Sequence, residues 1–281
     1  MTRKKKIRIL IVGLLVTIFS VLTYELLWGK LFSFSPIIIG FTKHELPHSS
    51  IYVQNGGDVS SLTRIDTLIP IVEDFHELKF SYKPKIFIFR DSISFIRHSL
   101  SKARFCVYPN GRLFISPWAL QEDKENKISL EIYLRHELSH SLIDQNAGLI
   151  NAFRYPQWLM EGIAVYSSNQ MGTSFYPSKE ETYRYIYQGN FLQPLDFKTK
   201  NEDKIKLNVE YRITFMYSEF ACIVDFLIET YGKEKLLIFM KKLLIESDND
   251  KVFKEVYNIE FSQVIQNFRK QVIEYEKNKW K

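Results

Sequence analysis

Between Ile9 and Tyr24 the chain carries no charged residue, and the apolar run resumes at Leu26–Trp28. Inside a bilayer such a segment has one option, a helix that satisfies its own backbone. Counted from Ile7 to Trp28 it reaches about 33 Å at 1.5 Å per residue, enough to span the hydrocarbon core. Arg3, Lys4, Lys5, Lys6 and Arg8 crowd its N-terminal flank. That bias predicts a cytoplasmic N-terminus with the rest of the chain outside, and Tyr24 and Trp28 suit the far interface. A cleaved signal peptide is the rival reading. It needs small residues after the apolar core, where this chain has Tyr24, Glu25, Leu26, Leu27 and Trp28. The expected layout is therefore a basic tail (1–6), a single-pass signal anchor (7–28), a linker (29–50) and one extracytoplasmic domain (51–281).

The anchor also explains the charge. The net +6 includes six of the 38 basic residues but only one of the 32 acidic ones within the first 30 positions. The remaining body is nearly balanced, so its charge gives no reason to expect a nucleic-acid partner. The two cysteines, Cys106 and Cys222, lie in apolar surroundings ("RFCVY", "FACIV"). An exported domain permits a disulfide between them, and two buried thiols fit equally. No Cys-x-x-Cys pair exists to hold a metal through sulfur.

From Ser50 to Leu120 the pattern alternates. "SIYVQ" and "KPKIFIFR" read as strands. Asp58–Leu78 has helical spacing at Leu62, Ile65, Ile69, Val72 and Phe75, and "DSISFIRHSL" reads as a short helix capped by Asp91. "RFCVYPNGRLFIS" reads as a hairpin turning at Pro109–Asn110–Gly111. After Leu120 strand signals give way to helices over Ser129–Ala147, Pro156–Ser167, Asn208–Tyr231, Glu234–Ile245, Asp250–Tyr257 and Ser262–Lys277, with Gly172–Asp203 mostly irregular. The fold class is α+β: a small N-terminal mixed α/β sheet subdomain packed on a mainly helical C-terminal subdomain.

The chemistry concentrates in "RHELSHSL". Ser129 suits the N-cap of this helix and Gly148 its end. His136 and His140 are four apart, so their imidazoles stack on one face with Glu137 beside them. On a helical wheel Glu131, Arg135, Ser139 and Asn146 form the solvated stripe, and the histidines point inward. Two inward histidines need a shared partner, because neither can stay unpaired or charged there. The plain alternative is a pair of core histidines bonded to carbonyls. A third ligand would decide, and "YPQWLMEGIAVY" offers Glu161 on a new helix that Pro156 starts, flanked by Trp158, Ala164 and Val165. A carboxylate on that apolar stripe requires a partner, a metal or an arginine. Gly162 beside it lets helices approach closely. His44, His48, His76 and His98 show no ligand spacing and read as surface or packing residues.

With those residues in view, "HELSH" followed by "QWLMEGIAVY" resembles the gluzincin metallopeptidases of the peptidase MA-like group, in which HExxH precedes a W-L-x-E-G-x-A-x-Y segment. Trp158, Leu159, Glu161, Gly162, Ala164 and Tyr166 match. The resemblance implies a zincin-like fold and one Zn2+ ion held by His136, His140 and Glu161, with Glu137 as general base. More weakly, it implies Tyr217 as oxyanion donor, with Tyr166 and Tyr211 as alternatives. It also places "GRLFIS" as an edge strand over the cleft, so that Arg112 and Phe114 would bind an extended peptide. The acidic segment with which the aminopeptidases of that group read a free N-terminus is missing. Val165 stands where thermolysin-like enzymes have an Asp, which leaves Asp144 as a candidate to orient a histidine; a capping or solvent-facing role suits it equally. The expected function is a membrane-anchored zinc metallopeptidase acting on a peptide or protein. The alternative is a catalytically silent zinc protein that binds a peptide or wall component.

Overall fold

The apolar strand runs assemble into a five-stranded mixed sheet in the computed structural model, which describes residues 2–194 and 206–279. Ahead of it, α1 (Arg3–Trp28) is one 26-residue helix with no buried residue. It is long and apolar enough to cross a membrane, a property shared by anchors and signal sequences.

The strands are β1 (Phe41–Glu45), β2 (Ser50–Gln54), β3 (Lys85–Ile88), β4 (Phe105–Val107) and β5 (Leu113–Ile115), in the order β1-β2-β3-β5-β4. The inner strands β2, β3 and β5 run parallel, and β1 and β4 close the edges antiparallel. Each inner strand is buried on both faces, which is why it reads as an unbroken apolar run.

Alternate residues serve two layers. Ile51, Val53, Ile86, Ile88, Leu113 and Ile115 pack against α2 (Leu62–Asp66), α3 (Leu68–His76) and α6 (Leu130–Ala152). Tyr52, Phe87 and Phe114 face an aromatic layer closed by Phe32 and by Phe95 of α4 (Ser92–His98). Between sheet and α6 lies α5 (Pro117–Lys124), absent from the sequence reading; Ser116 caps it by accepting from the Ala119 N–H, and Pro117 opens it.

Residues 29–50, expected as a linker, belong to the folded body. Phe32 is fully buried in the aromatic layer, and β1 adds a strand. Arg112 donates to the Phe32 and Ser35 carbonyls (3.3 and 2.8 Å), and Asn110 Nδ2 donates to the Ser33 carbonyl (2.7 Å).

The C-terminal half comprises α7 (Gln157–Ser168), α8 (Lys179–Tyr187), α9 (Arg212–Tyr231), α10 (Lys233–Leu243), α11 (Asn249–Tyr257) and α12 (Phe261–Lys279). They surround a core that includes Trp158, Phe220, Phe239, Phe253 and Phe268. The helix α8 corrects the irregular reading of Gly172–Asp203, part of which lies outside the described residues. A capping box starts it: Ser178 Oγ accepts from the Glu181 N–H, and the Glu181 carboxylate accepts from the Ser178 N–H.

The sheet and the helical half meet at α6. Ser129 Oγ accepts from the Ile132 N–H to start it, and Gly148, at φ 72°, interrupts it. Leu134, Leu138 and Leu142 enter the sheet core, while Ile143 and Ala147 enter the helical core.

Candidate metal centre

His136 and His140 project from α6 toward Glu161 on α7. All three are at least nine-tenths buried. The two Nε2 atoms are 2.9 Å apart, and each is 3.4 Å from Glu161 Oε2. Atoms this close would all fit within about 2 Å of one ion, the usual zinc–ligand distance. Together they form a group able to hold a metal ion. The alternative partners foreseen for these residues are not used: Glu161 faces imidazoles rather than an arginine, and the histidines face each other and Glu161 rather than carbonyls. Among the described residues both Nδ1 atoms and Glu161 Oε2 lack a hydrogen-bond partner. Buried polar atoms left in this way are costly unless something else satisfies them.

Several contacts fix the two helices. An Arg135 guanidinium N–H donates to the Ser168 carbonyl at the end of α7. On the opposite side, α7 packs against α9. A Cβ at Gly162 would lie 2.7 Å from the Phe220 carbonyl oxygen, so the glycine permits the α7–α9 approach, not an α6–α7 approach. Ser141 Oγ donates to the Gly111 carbonyl (2.5 Å), holding the β4–β5 turn on α6. The expected solvated stripe is only partly so. Glu131 is exposed, Arg135 and Asn146 are half-buried, and Ser139 is fully buried. The Ser139 hydroxyl bonds His76 Nε2 (2.7 Å), while His76 Nδ1 bonds the Val72 carbonyl (2.8 Å). A carbonyl only accepts, so Nδ1 carries the proton and Ser139 donates to Nε2. His76 thus pins α3 to the helix that carries both histidines, and burial pushes its pKa down to about 4.

Charge in the site is mutually arranged. Burial opposes a charged His140, but the carboxylates of Glu161, Glu137 and Asp144 outweigh it and lift the imidazole to about 9. Burial likewise opposes ionised Glu161, but the two imidazoles hold its carboxyl below the usual range. Burial raises Glu137, with the imidazoles pulling the other way. Asp144 is buried rather than solvent-facing, and burial pushes it up to about 7.

The other expected residues are placed differently. As an inner strand β5 is paired on both sides, so "GRLFIS" is no edge. Arg112 is turned to the segment following α1, and Phe114 is fully buried in the aromatic layer. The edge on that side belongs to β4, where burial, and after it the Glu137 charge, pushes the Cys106 thiol up. Tyr217 is half-buried against the helical core, and Tyr166 interacts with Asp225. Sequence reasoning missed Tyr176, whose hydroxyl is pushed well up by burial and then by the negative charge of Glu161 and Glu137. It lines a cleft of about 190 Å³ with Phe175, Tyr185, Tyr211 and Phe215. Cys106 and Cys222 are both free and buried.

No family model matches this chain, and no curated protein is significantly similar to it.

Proposed function

We propose that the chain is a membrane-anchored zinc metallopeptidase with a zincin-like domain, its N-terminus cytoplasmic and its catalytic domain outside. The observation that carries this reading is the convergence of His136 Nε2, His140 Nε2 and Glu161 Oε2 within 3.4 Å, in a buried setting where Glu161 Oε2 has no hydrogen-bond partner. Two imidazole nitrogens and one carboxylate oxygen, with room for a fourth ligand, form the donor set of a catalytic zinc. A zinc ion there would supply a Lewis acid and a bound water acidified toward neutrality. Glu137 stands beside the triad on α6, and burial makes its carboxylate the more basic. Its role is to take a proton from the attacking water and return it to the leaving amine nitrogen. A tyrosine hydroxyl would donate to the developing oxyanion. Tyr217 has the support of the sequence resemblance, and Tyr176 that of its coupling to Glu161 and Glu137.

The experiment is metal analysis of the purified full chain combined with peptide-library cleavage. Wild type should hold about one zinc per chain. Glu137→Gln should keep the zinc and lose cleavage by about 10²–10⁴-fold, the usual worth of a general base. His136→Ala should lose the metal. Full cleavage by Glu137→Gln refutes the mechanism. Zinc retention without cleavage in wild type would instead favour a silent peptide- or wall-binding protein.

A further inference from the structure

The chain leaves α1 with almost no slack. The Gly29 and Leu31 N–H groups both donate back to the Glu25 carbonyl, and the Lys30 N–H donates to the Glu25 carboxylate (2.8 Å). Two residues past α1, the Lys30 ammonium donates to the Ile96 carbonyl and to the Ser99 carbonyl (2.6 Å), at the C-terminal end of α4. Next, Phe32 is buried, and Arg112 and Asn110 hold the carbonyls of residues 32, 33 and 35. The domain is therefore clamped directly to the end of α1.

That clamp decides what lies around α4. A lysine side chain reaches only several ångströms, so the end of α4 sits at the depth of the end of α1. In a helix of about 39 Å, that end falls in the headgroup region of a bilayer whose hydrocarbon core is about 30 Å thick. Three of the residues exposed there are large and apolar. Ile93, Ile96 and Leu100 are 73, 38 and 68 % exposed. Ile93 and Ile96, three apart, share one face of α4, and Leu100 follows just past the extended Ser99 that ends the helix. Leu31 and Ile37 are also exposed, and Leu31 lines an apolar groove with Ile18, Val21 and Leu22 of α1. From Ser92 to Arg104 there is no acidic residue, while Arg97 and Lys102 are exposed. An apolar patch beside exposed basic residues is the pattern of an interfacial contact with anionic lipid.

We propose that Ile93, Ile96 and Leu100 rest in the interface of the same bilayer that holds α1, with Arg97 and Lys102 among its anionic headgroups. The domain then lies flat on the membrane in a fixed orientation. This inference rests on reading α1 as membrane-embedded, and the test separates the two.

Single cysteines replace Ile93, Leu100, Val16 in α1, or Ile245, which is 77 % exposed in the helical half. The native thiols of Cys106 and Cys222 are buried and stay unlabelled. Each full-length variant carries a bimane fluorophore in vesicles of phosphatidylcholine and phosphatidylglycerol. Quenching is read with shallow doxyl lipid and with aqueous iodide. The labels at 93 and 100 should lose most of their fluorescence to the doxyl lipid and be shielded from iodide, at the depth of about 5–10 Å typical of interfacial helices. The label at 245 should behave in the opposite way. If the label at 16 is quenched by deep doxyl lipid while those at 93 and 100 respond to iodide like the one at 245, the proposal is overturned and the anchor stands. If the label at 16 is itself reached by iodide, the anchor reading fails and takes this inference with it.

Discussion

Replacing Gly162 by Ala should destabilise the protein, although the same change in an uncrowded helix would stabilise it. Alanine is better in a helix interior by about 1 kcal/mol. At this position the new Cβ would lie 2.7 Å from the Phe220 oxygen, 2.9 Å from its carbonyl carbon and 3.0 Å from Val224 Cγ2. Two of those atoms are α9 backbone, so no rotamer change relieves the clash. The helices must part by roughly half an ångström or more, and overpacking of this kind costs about 1–3 kcal/mol. The net expectation is a loss of up to about 2 kcal/mol after the propensity gain is subtracted. The displacement falls on α7 next to Glu161, whose Oε2 is 3.4 Å from both imidazole nitrogens. Metal ligands hold their distances to about 0.2 Å, so zinc affinity should fall along with stability. The assay is urea unfolding of the full chain in detergent, with chelator present, followed by near-ultraviolet circular dichroism, and then zinc competition without chelator. A lower urea midpoint at unchanged slope, with weaker zinc binding, is expected. A midpoint above wild type, as the propensity gain alone would give, refutes the close α7–α9 contact.

Acid should weaken the α3–α6 clasp. His76 is neutral in the fold with its pKa near 4, against 6.5 for the free side chain, so the unfolded chain binds the extra proton. Its contribution is complete above pH 6.5 and is lost as pH falls toward 4, by about 2 kcal/mol at pH 5. Asp144, pushed up to about 7, runs in the opposite sense, so the quantity to measure is the pH dependence of the stability difference between wild type and His76→Gln; a flat difference from pH 7 to 5 contradicts the assignment. Arg112→Ala should leave the Phe32 and Ser35 carbonyls short of a charged donor, costing about 1.5–3 kcal/mol. Limited proteolysis should then cut within 31–40 faster than in wild type, and an unchanged rate would show that the clamp is held without Arg112.

The elements legible in the sequence were those with strong local signals. The inner strands announce themselves as apolar runs, α6 by Ser129 and its spacing, and α7 by Pro156. The histidine pair and Glu161 were legible for the same reason: helical geometry fixes a spacing of four, and a carboxylate on an apolar stripe requires a partner. What stayed hidden depended on distant contacts. The sequence "FTKHE" of β1 is polar because an edge strand faces water, so it resembled a linker. The helix α8 did carry a readable capping box, Ser178 to Glu181, obscured by its scattered aromatics. Strand order was not encoded in any one strand, though the fully buried "LFI" of β5 is a mark of an inner position. Ser139 looked solvated on the wheel because His76, sixty-three positions earlier, covers it. Tyr176 lies outside any helix or strand, where no periodicity reports which way a side chain faces.

The position of α6 has one more consequence. Leu134, Leu138 and Leu142 belong to the sheet core, Ile143 and Ala147 to the helical core, and Glu161 to α7 of the helical half. An ion shared by His136, His140 and Glu161 would therefore rivet the two lobes together. Hydrogen exchange along α7 should slow when the ion is bound, because each opening of that seam would first have to break a coordinate bond.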